Sequence, residues 1–183
     1  MSLPERLDAP GVLLRRLQLT DRDALAAAVA ESLDAVARWM PWAHPGYGSD
    51  DASTFLATGW LGWNAGTQFE FAIVAPDDGE LLGVCGLNQR SAEDMNLGYW
   101  TRTAHAGRGI ATLATRRLAR FGFDDVGLRR IRLYHAVGNV GSQRVAEKAG
   151  FRCEGRQRGG MELKGVAHDC LSYGLLPADL KGA

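Results

Sequence analysis

Cysteine is scarce in this chain: Cys85, Cys153 and Cys170 are odd in number, far apart and outside any CxxC or Cys/His spacing, which argues against a disulfide framework and a zinc site. No metal is expected. A run of about 18 apolar residues is missing, and Met1 to Pro10 carries acids and prolines where an export signal would carry a basic stretch and an apolar one. No membrane partner follows, and the reducing cytoplasm is the expected location. Charge of one sign is also missing. Lys+Arg and Asp+Glu both number 21 in 183 residues, so nothing draws the chain as a whole to nucleic acid or anionic lipid. Repeats, linkers and low-complexity tracts are absent, and the length suits one ordinary domain over residues 1–183.

What is present alternates between two periods. Val12 to Leu19 reads as a strand that enters a helix capped at Thr20, with Asp23 three residues on, and Pro41 stops that helix. Ser49 to Trp63 reads as a second amphipathic helix. Gln68 to Ala75 and Leu81 to Asn88 alternate around the turn Pro76-Asp77-Asp78-Gly79, a hairpin signal. A strand at Met95 to Arg102, a glycine-rich turn, a helix from Gly109 to Phe123, a strand at Arg130 to Ala136, a helix at Ser142 to Ala149 and two closing strands complete the order. The fold class is therefore α/β (α+β), a mixed sheet with helices packed on it.

The turn Ala104-His105-Ala106-Gly107-Arg108-Gly109-Ile110-Ala111-Thr112 lies between a strand and a helix. Unpaired N–H groups at a helix start, the positive end of the helix dipole and glycines that admit close approach together suit a diphosphate. A P-loop would need Gly-Lys-Ser/Thr, and a dinucleotide fingerprint a third glycine where Thr112 stands. A tight turn with close helix packing would also explain Gly-x-Gly, so this motif alone decides nothing.

A second segment is more specific. Asn139-Val140-Gly141-Ser142-Gln143-Arg144-Val145-Ala146-Glu147-Lys148-Ala149-Gly150-Phe151, with Gly107-Arg108-Gly109-Ile110-Ala111, resembles the GNAT N-acetyltransferase superfamily, in particular its branch that acetylates ribosomal-protein amino termini. Leu97-Gly98-Tyr99-Trp100 and Glu154-Gly155 are similar to that branch as well. The resemblance implies a GNAT fold: a central sheet of about seven strands, splayed between the strands at Met95 to Arg102 and Arg130 to Ala136, with helices on both faces. It implies acetyl-coenzyme A as cosubstrate in the gap. Backbone groups of Trp100 and Thr101 would meet the pantetheine and acetyl carbonyl, the N–H groups of Gly107, Arg108, Gly109, Ile110, Ala111 and Thr112 would hold the diphosphate, Asn139 would touch pantetheine, and Ser142 would lie near the sulfur. The family's Gln or Arg at the start of the glycine motif is Ala106 here, which removes a side-chain contact and leaves the backbone cradle.

The acceptor is then a primary amine, and acidity selects among amines. An α-amine of pKa near 7.8 is about 15% neutral at pH 7, a Lys amine of pKa near 10.4 about 0.04%, a difference of about 3.5 kcal/mol. An α-amine, as at a protein amino terminus, asks for only a weak base. Ser142 is read as proton donor to the departing sulfur and equally as helix N-cap. For the base, aligning Glu154-Gly155 with the ribosomal-protein branch puts Met161 where a Glu is expected and Glu162 one residue on, where the side chain would change face. Glu162 is the catalytic candidate. Asp169 suits turn hydrogen bonding, and His105 and His135 are weaker bases in prospect. Trp42 and Tyr47 are assigned to the acceptor pocket, Trp60 and Trp63 to the core. Asp50 and Asp51 could line an acidic pocket with Glu162, and a homodimer is left open. The other class of function is a non-catalytic acyl-coenzyme A sensor or scaffold, which would bind without turnover.

Overall fold

In the computed structural model, which describes residues 3–91 and 94–182, the strands form one sheet of eight in the order β1-β2-β3-β4-β5-β6-β8-β7. They are β1 (Arg6–Ala9), β2 (Val12–Arg16), β3 (Gln68–Val74), β4 (Leu81–Ser91), β5 (Asp94–Thr101), β6 (Arg130–Ala136), β7 (Arg152–Leu163) and β8 (Val166–Leu175). Only β5 and β6 run parallel; every other neighbour pair is antiparallel. The helices are α1 (Arg22–Glu31), α2 (Leu33–Val36), α3 (Ser49–Ala65), α4 (Ile110–Asp124) and α5 (Val140–Lys148). The GNAT fold expected from sequence is present, with eight strands in place of about seven. The extra one, β1, has four residues and a single fully buried side chain, Leu7, too few to show a period.

Two apolar layers sandwich the sheet. Phe69, Phe71 and Ile73 alternate along β3 with Glu70, Ala72 and Val74, and because successive strand residues point to opposite faces, each set serves one layer. The first layer joins Phe69, Phe71 and Ile73 to Ala114, Leu118 and Phe121 of α4, whose spacing is the helical one. Gly122 lets that helix sit close, since a Cβ there would come within 2.9 Å of Ile131 Cδ1. The second layer joins Ala72, Val74, Val84 and Trp100 to Leu25 and Val29 of α1 and Leu56 of α3. Burying a Leu or Phe contributes about 1.5–3 kcal/mol, so both layers matter for stability.

Three local expectations change. The helix expected to run to Pro41 breaks at Ser32, whose φ of −103° and ψ of 9° leave the helical region. The buried Ser32 hydroxyl accepts the Thr103 N–H at 3.0 Å, so a polar side chain spends its hydrogen bond on the turn after β5. Thr20 is not the cap: it lies inside a 3-10 turn, Leu19–Asp21, and Asp21 accepts the Gln18 N–H at 2.8 Å. Asp21 is also paired with Arg15 at 2.7 Å. Trp60 is 53% exposed on α3, whereas Trp63 does pack inward, edge-on to Phe69 at 5.3 Å.

Candidate active site

The β5–β6 ladder lasts only from Asp94–Arg130 to Asn96–Arg132. Beyond it β5 stays with β4 as far as Thr101, and β6 stays with β8 as far as Ala136. The expected splay is therefore present, and a cavity of about 450 Å³ fills it, with Leu97, Gly98 and Tyr99 on one wall and Leu133, His135 and Ala136 on the other. The Arg102 N–H donates to the Leu82 carbonyl at 2.8 Å. Antiparallel alternation then commits the backbone of Trp100 to its partner Val84 and turns those of Tyr99 and Thr101 to the open edge. Trp100 faces the second apolar layer with its indole.

At the mouth of the gap stands α4. Gly107 and Gly109 adopt φ of 77° and 81°, a region closed to most side chains, and a Cβ at either would meet nothing within 4 Å. The glycines answer backbone geometry and leave an open hollow. The first helical bond is Leu113 N–H to the Gly109 carbonyl at 3.0 Å, so the N–H groups of Ile110, Ala111 and Thr112 lack helical partners. Ile110 is buried and anchors the turn, and Arg108 is exposed beside it. A diphosphate fits this cradle through backbone donors and the helix dipole.

Ser142 is not the N-cap of α5. Asn139 is: its Oδ1 accepts the Ser142 N–H at 3.0 Å. The Ser142 hydroxyl is thereby left for Tyr99, whose phenol lies 2.9 Å away. Burial pushes the Tyr99 phenol up to about 12 against the opposing bond from Ser142, so the pair keeps its protons at neutral pH. Tyr99, Asn139 and Ser142 all line the gap. Tyr99 escaped the sequence reading because its partner is 43 residues away.

A second chamber of about 320 Å³, under α1 and α3, shares Met40, Trp42, Asn88, Gly98 and Tyr99 with the gap. Its walls include Trp42 and Tyr47, rings 5.7 Å apart, and Trp100, 6.0 Å from Trp42. Glu70 also lines it. That residue is 8% exposed, accepts a bond from Gln68 Nε2 at 3.0 Å and has no ion pair among the described residues. Burial raises its pKa, opposed by hydrogen bonds from Gln68 and Asn88. A polar annex lined by Asn88, Asn96, Arg132, Tyr134, Gln157 and Ser172 adjoins the gap on the other side.

The remaining sequence assignments disperse. Met161 and Glu162 both reach the gap, beside a β7 bulge between Gln157 and Met161 that resets the alternation; Glu162 is exposed. Asp169 accepts the Gly159 N–H at 2.9 Å and pairs with Arg156 at 2.6 Å, the turn role expected of it. His105 faces Glu80 at 3.2 Å, away from the gap. His135 is 3% exposed and stacked on Tyr173, with Nε2 lacking a partner. Asp51 accepts the Gly48 N–H at 2.9 Å to start α3, and neither it nor Asp50 lines the chambers. The buried carboxyl there is Glu70. Among the described residues no group of three or more His, Cys, Asp or Glu could hold a metal ion, and no helix is long and apolar enough to cross a membrane.

Comparisons with known proteins agree with this geometry. Residues 12–152 match the acetyltransferase (GNAT) domain family. The chain is 29% identical over 183 residues to "Putative ribosomal N-acetyltransferase YdaF" of Bacillus subtilis (strain 168), covering 93% of this chain and 94% of that protein. Among solved structures, Mycobacterium smegmatis RimJ in complex with CoA-disulfide superposes with a TM-score of 0.85 at 25% identity, over 96% of this chain and 87% of the other. The ribosomal L7/L12 alpha-N-protein acetyltransferase RimL in complex with coenzyme A shares the fold, with a TM-score of 0.87 at 20% identity over 94% and 98% of the two chains. The chain belongs to the GNAT family and is an acetyl-coenzyme A-dependent N-acetyltransferase.

Proposed function

We propose that the enzyme acetylates an exposed α-amine, such as a protein amino terminus, by direct attack of the amine on the thioester. The observation that carries this reading is the Tyr99–Ser142 hydroxyl pair at 2.9 Å on the wall of the splayed gap, next to an aromatic chamber that opens into it. In this reading Thr101 and Tyr99 present backbone groups to the pantetheine and acetyl carbonyl, and the N–H groups from Gly107 through Thr112 hold the diphosphate. Trp100 serves the site with its indole in the acceptor wall, and Asn139 by shaping the start of α5 beneath the pantetheine.

The hydroxyl pair donates a proton to the departing sulfur. That task is modest, because a thiol of pKa near 8.5 leaves tolerably as thiolate. Trp42 and Tyr47 receive the acceptor's first side chain, and the exposed Glu162 at the rim meets the acceptor as it enters. One domain spans residues 1–183 in this reading. The free thiols Cys85, Cys153 and Cys170 suit the reducing cytoplasm in which nascent protein termini are found.

The test is release of free thiol from acetyl-coenzyme A at pH 7 with two peptides. One has a free amino terminus and no Lys; the other has a blocked terminus and one Lys. The free-terminus peptide should react faster, by up to a few hundredfold from amine acidity alone. Faster acetylation of the blocked Lys peptide would reject the α-amine assignment, and no turnover on a broad amine panel would return the sensor reading.

A further inference from the structure

Glu70, Gly86 and Gly98 are cross-strand neighbours on β3, β4 and β5 and point to one face of the sheet, the face covered by α1 and α3. The Glu70 carboxylate lies flat over Gly86: a Cβ there would collide with both of its oxygens. At Gly98 a Cβ would meet nothing within 4 Å, so the lane continues as open floor to the edge of the splayed gap. Strands sit about 4.8 Å apart, which puts Gly98 about 10 Å from the Glu70 backbone. A Glu side chain reaching over Gly86 covers roughly half of that span. A small group standing over Gly98, beside the gap, is then within a hydrogen bond or one water of the carboxylate.

We infer that Glu70 is the acceptor-side base of this enzyme: it binds the incoming ammonium over Gly98 and takes its proton. This rests on the amine-acetylation reading above. In the step, one proton moves from R–NH3+ to a Glu70 oxygen, and the freed nitrogen lone pair forms the N–C bond at the thioester carbonyl. The C–S bond breaks with its electron pair on sulfur, which takes a proton from the Tyr99–Ser142 pair. The second nitrogen proton restores that pair, and the Glu70 proton leaves to solvent.

The surroundings suit this task. Trp42, Tyr47 and Trp100 line the chamber with aromatic rings, which attract a cation, and among the described residues that line it none is cationic. The titratable side chain on the same face as Glu70 is Tyr47 before α3, raised by burial; Cys85 of β4 and Tyr99 of β5, also raised by burial, line the chamber from strand positions whose side chains turn to the opposite face. From α1 and α3 come Leu25 and Phe55. Arg16 shares a small cleft with Glu70; its Nη1 pairs with Glu5 at 2.6 Å and its guanidinium lies 4.6 Å from the Trp63 ring, while its buried Nη2 has no hydrogen-bond partner.

The test compares wild type, Glu70→Gln and Gly98→Val on whichever of the two peptides the wild type acetylates faster, so a wrong acceptor class and a wrong base give different results. Glu70→Gln should lose about 100-fold in kcat/KM for the peptide and keep its acetyl-coenzyme A affinity by calorimetry. The wild-type profile should level off below the pKa of the amine, and the variant's should climb to it, about 7.8 for an α-amine. Gly98→Val, which plugs the lane without touching the carboxylate, should raise the peptide KM. A folded Glu70→Gln within about twofold of wild type and with the same pH profile, or a Gly98→Val protein with an unchanged peptide KM, would overturn the assignment.

Discussion

The two halves of the site are built on opposite principles. The cofactor half, from β5 through α4 and β6 to α5, works with backbone: free N–H groups at a helix start, two glycines at positive φ and an open strand edge. The acceptor half, from α1 to β4, works with side chains gathered from distant segments, a buried carboxyl and a set of rings. Backbone recognition needs particular residues at consecutive positions, so it leaves a motif. Side-chain recognition assembled across strands needs only that each residue fit its own place, and it leaves none.

The strongest way to break the comparison is to spoil the backbone cradle alone. Gly109→Val puts a branched side chain at φ 81° and into the space of the diphosphate. Loss of one or two charge-assisted bonds should weaken acetyl-coenzyme A by about 100-fold in calorimetry. Ala111→Trp, which needs no positive φ, should do the same. Unchanged affinity in either folded variant would show that the turn does not hold the diphosphate.

Next comes the junction of the halves. Tyr99→Phe and Ser142→Ala should each lower turnover by about 10- to 100-fold with cofactor affinity kept. Because the hydroxyls act as one unit, the double variant should be little worse than either single. Additive losses in stopped-time thiol assays would separate the two residues. A smaller and purely structural effect belongs to the neighbouring cap. Asn139→Ala should cost about 1 kcal/mol and lower Tm by about 2–4 °C, whereas Ser142→Ala should leave Tm near wild type.

The smallest effect is the pH dependence that Glu70 imposes on folding. Its pKa in the folded chain is raised, first by burial. Its contribution to stability is therefore fully present below the unfolded carboxyl pKa of about 4.3 and is lost as pH rises through the folded value. Glu70→Gln should gain in Tm relative to wild type between pH 5 and pH 8. A constant difference across that range would mean that the carboxyl titrates as it does in water.

Legibility from sequence follows the same division. Gly107, Gly109 and the Asn139 to Phe151 run carried the fold, the splay and the cosubstrate, and β6 was bounded at Arg130 and Ala136 from its pattern alone. Asn139 as cap was hidden because two polar residues three apart can each fill that role, and only the Ser142 N–H at 3.0 Å distinguishes them. Trp42 and Tyr47, assigned to the acceptor pocket because that region caps the acceptor side in the fold the motifs resemble, both line the second chamber. Glu70 was silent: in Gln68-Phe69-Glu70-Phe71 it reads as the outward residue of an alternating strand. Only the covering of that face by α1 and α3 turns an apparent surface acid into a buried one.

Two-substrate steady-state kinetics of Tyr47→Ala test the separation of the halves most directly, since Tyr47 lines the acceptor chamber and not the gap. The expected result is a peptide KM raised about tenfold, the scale of one lost aromatic contact, with the acetyl-coenzyme A KM within about twofold of wild type. An unchanged peptide KM with weakened acetyl-coenzyme A would contradict the division of labour between the two halves.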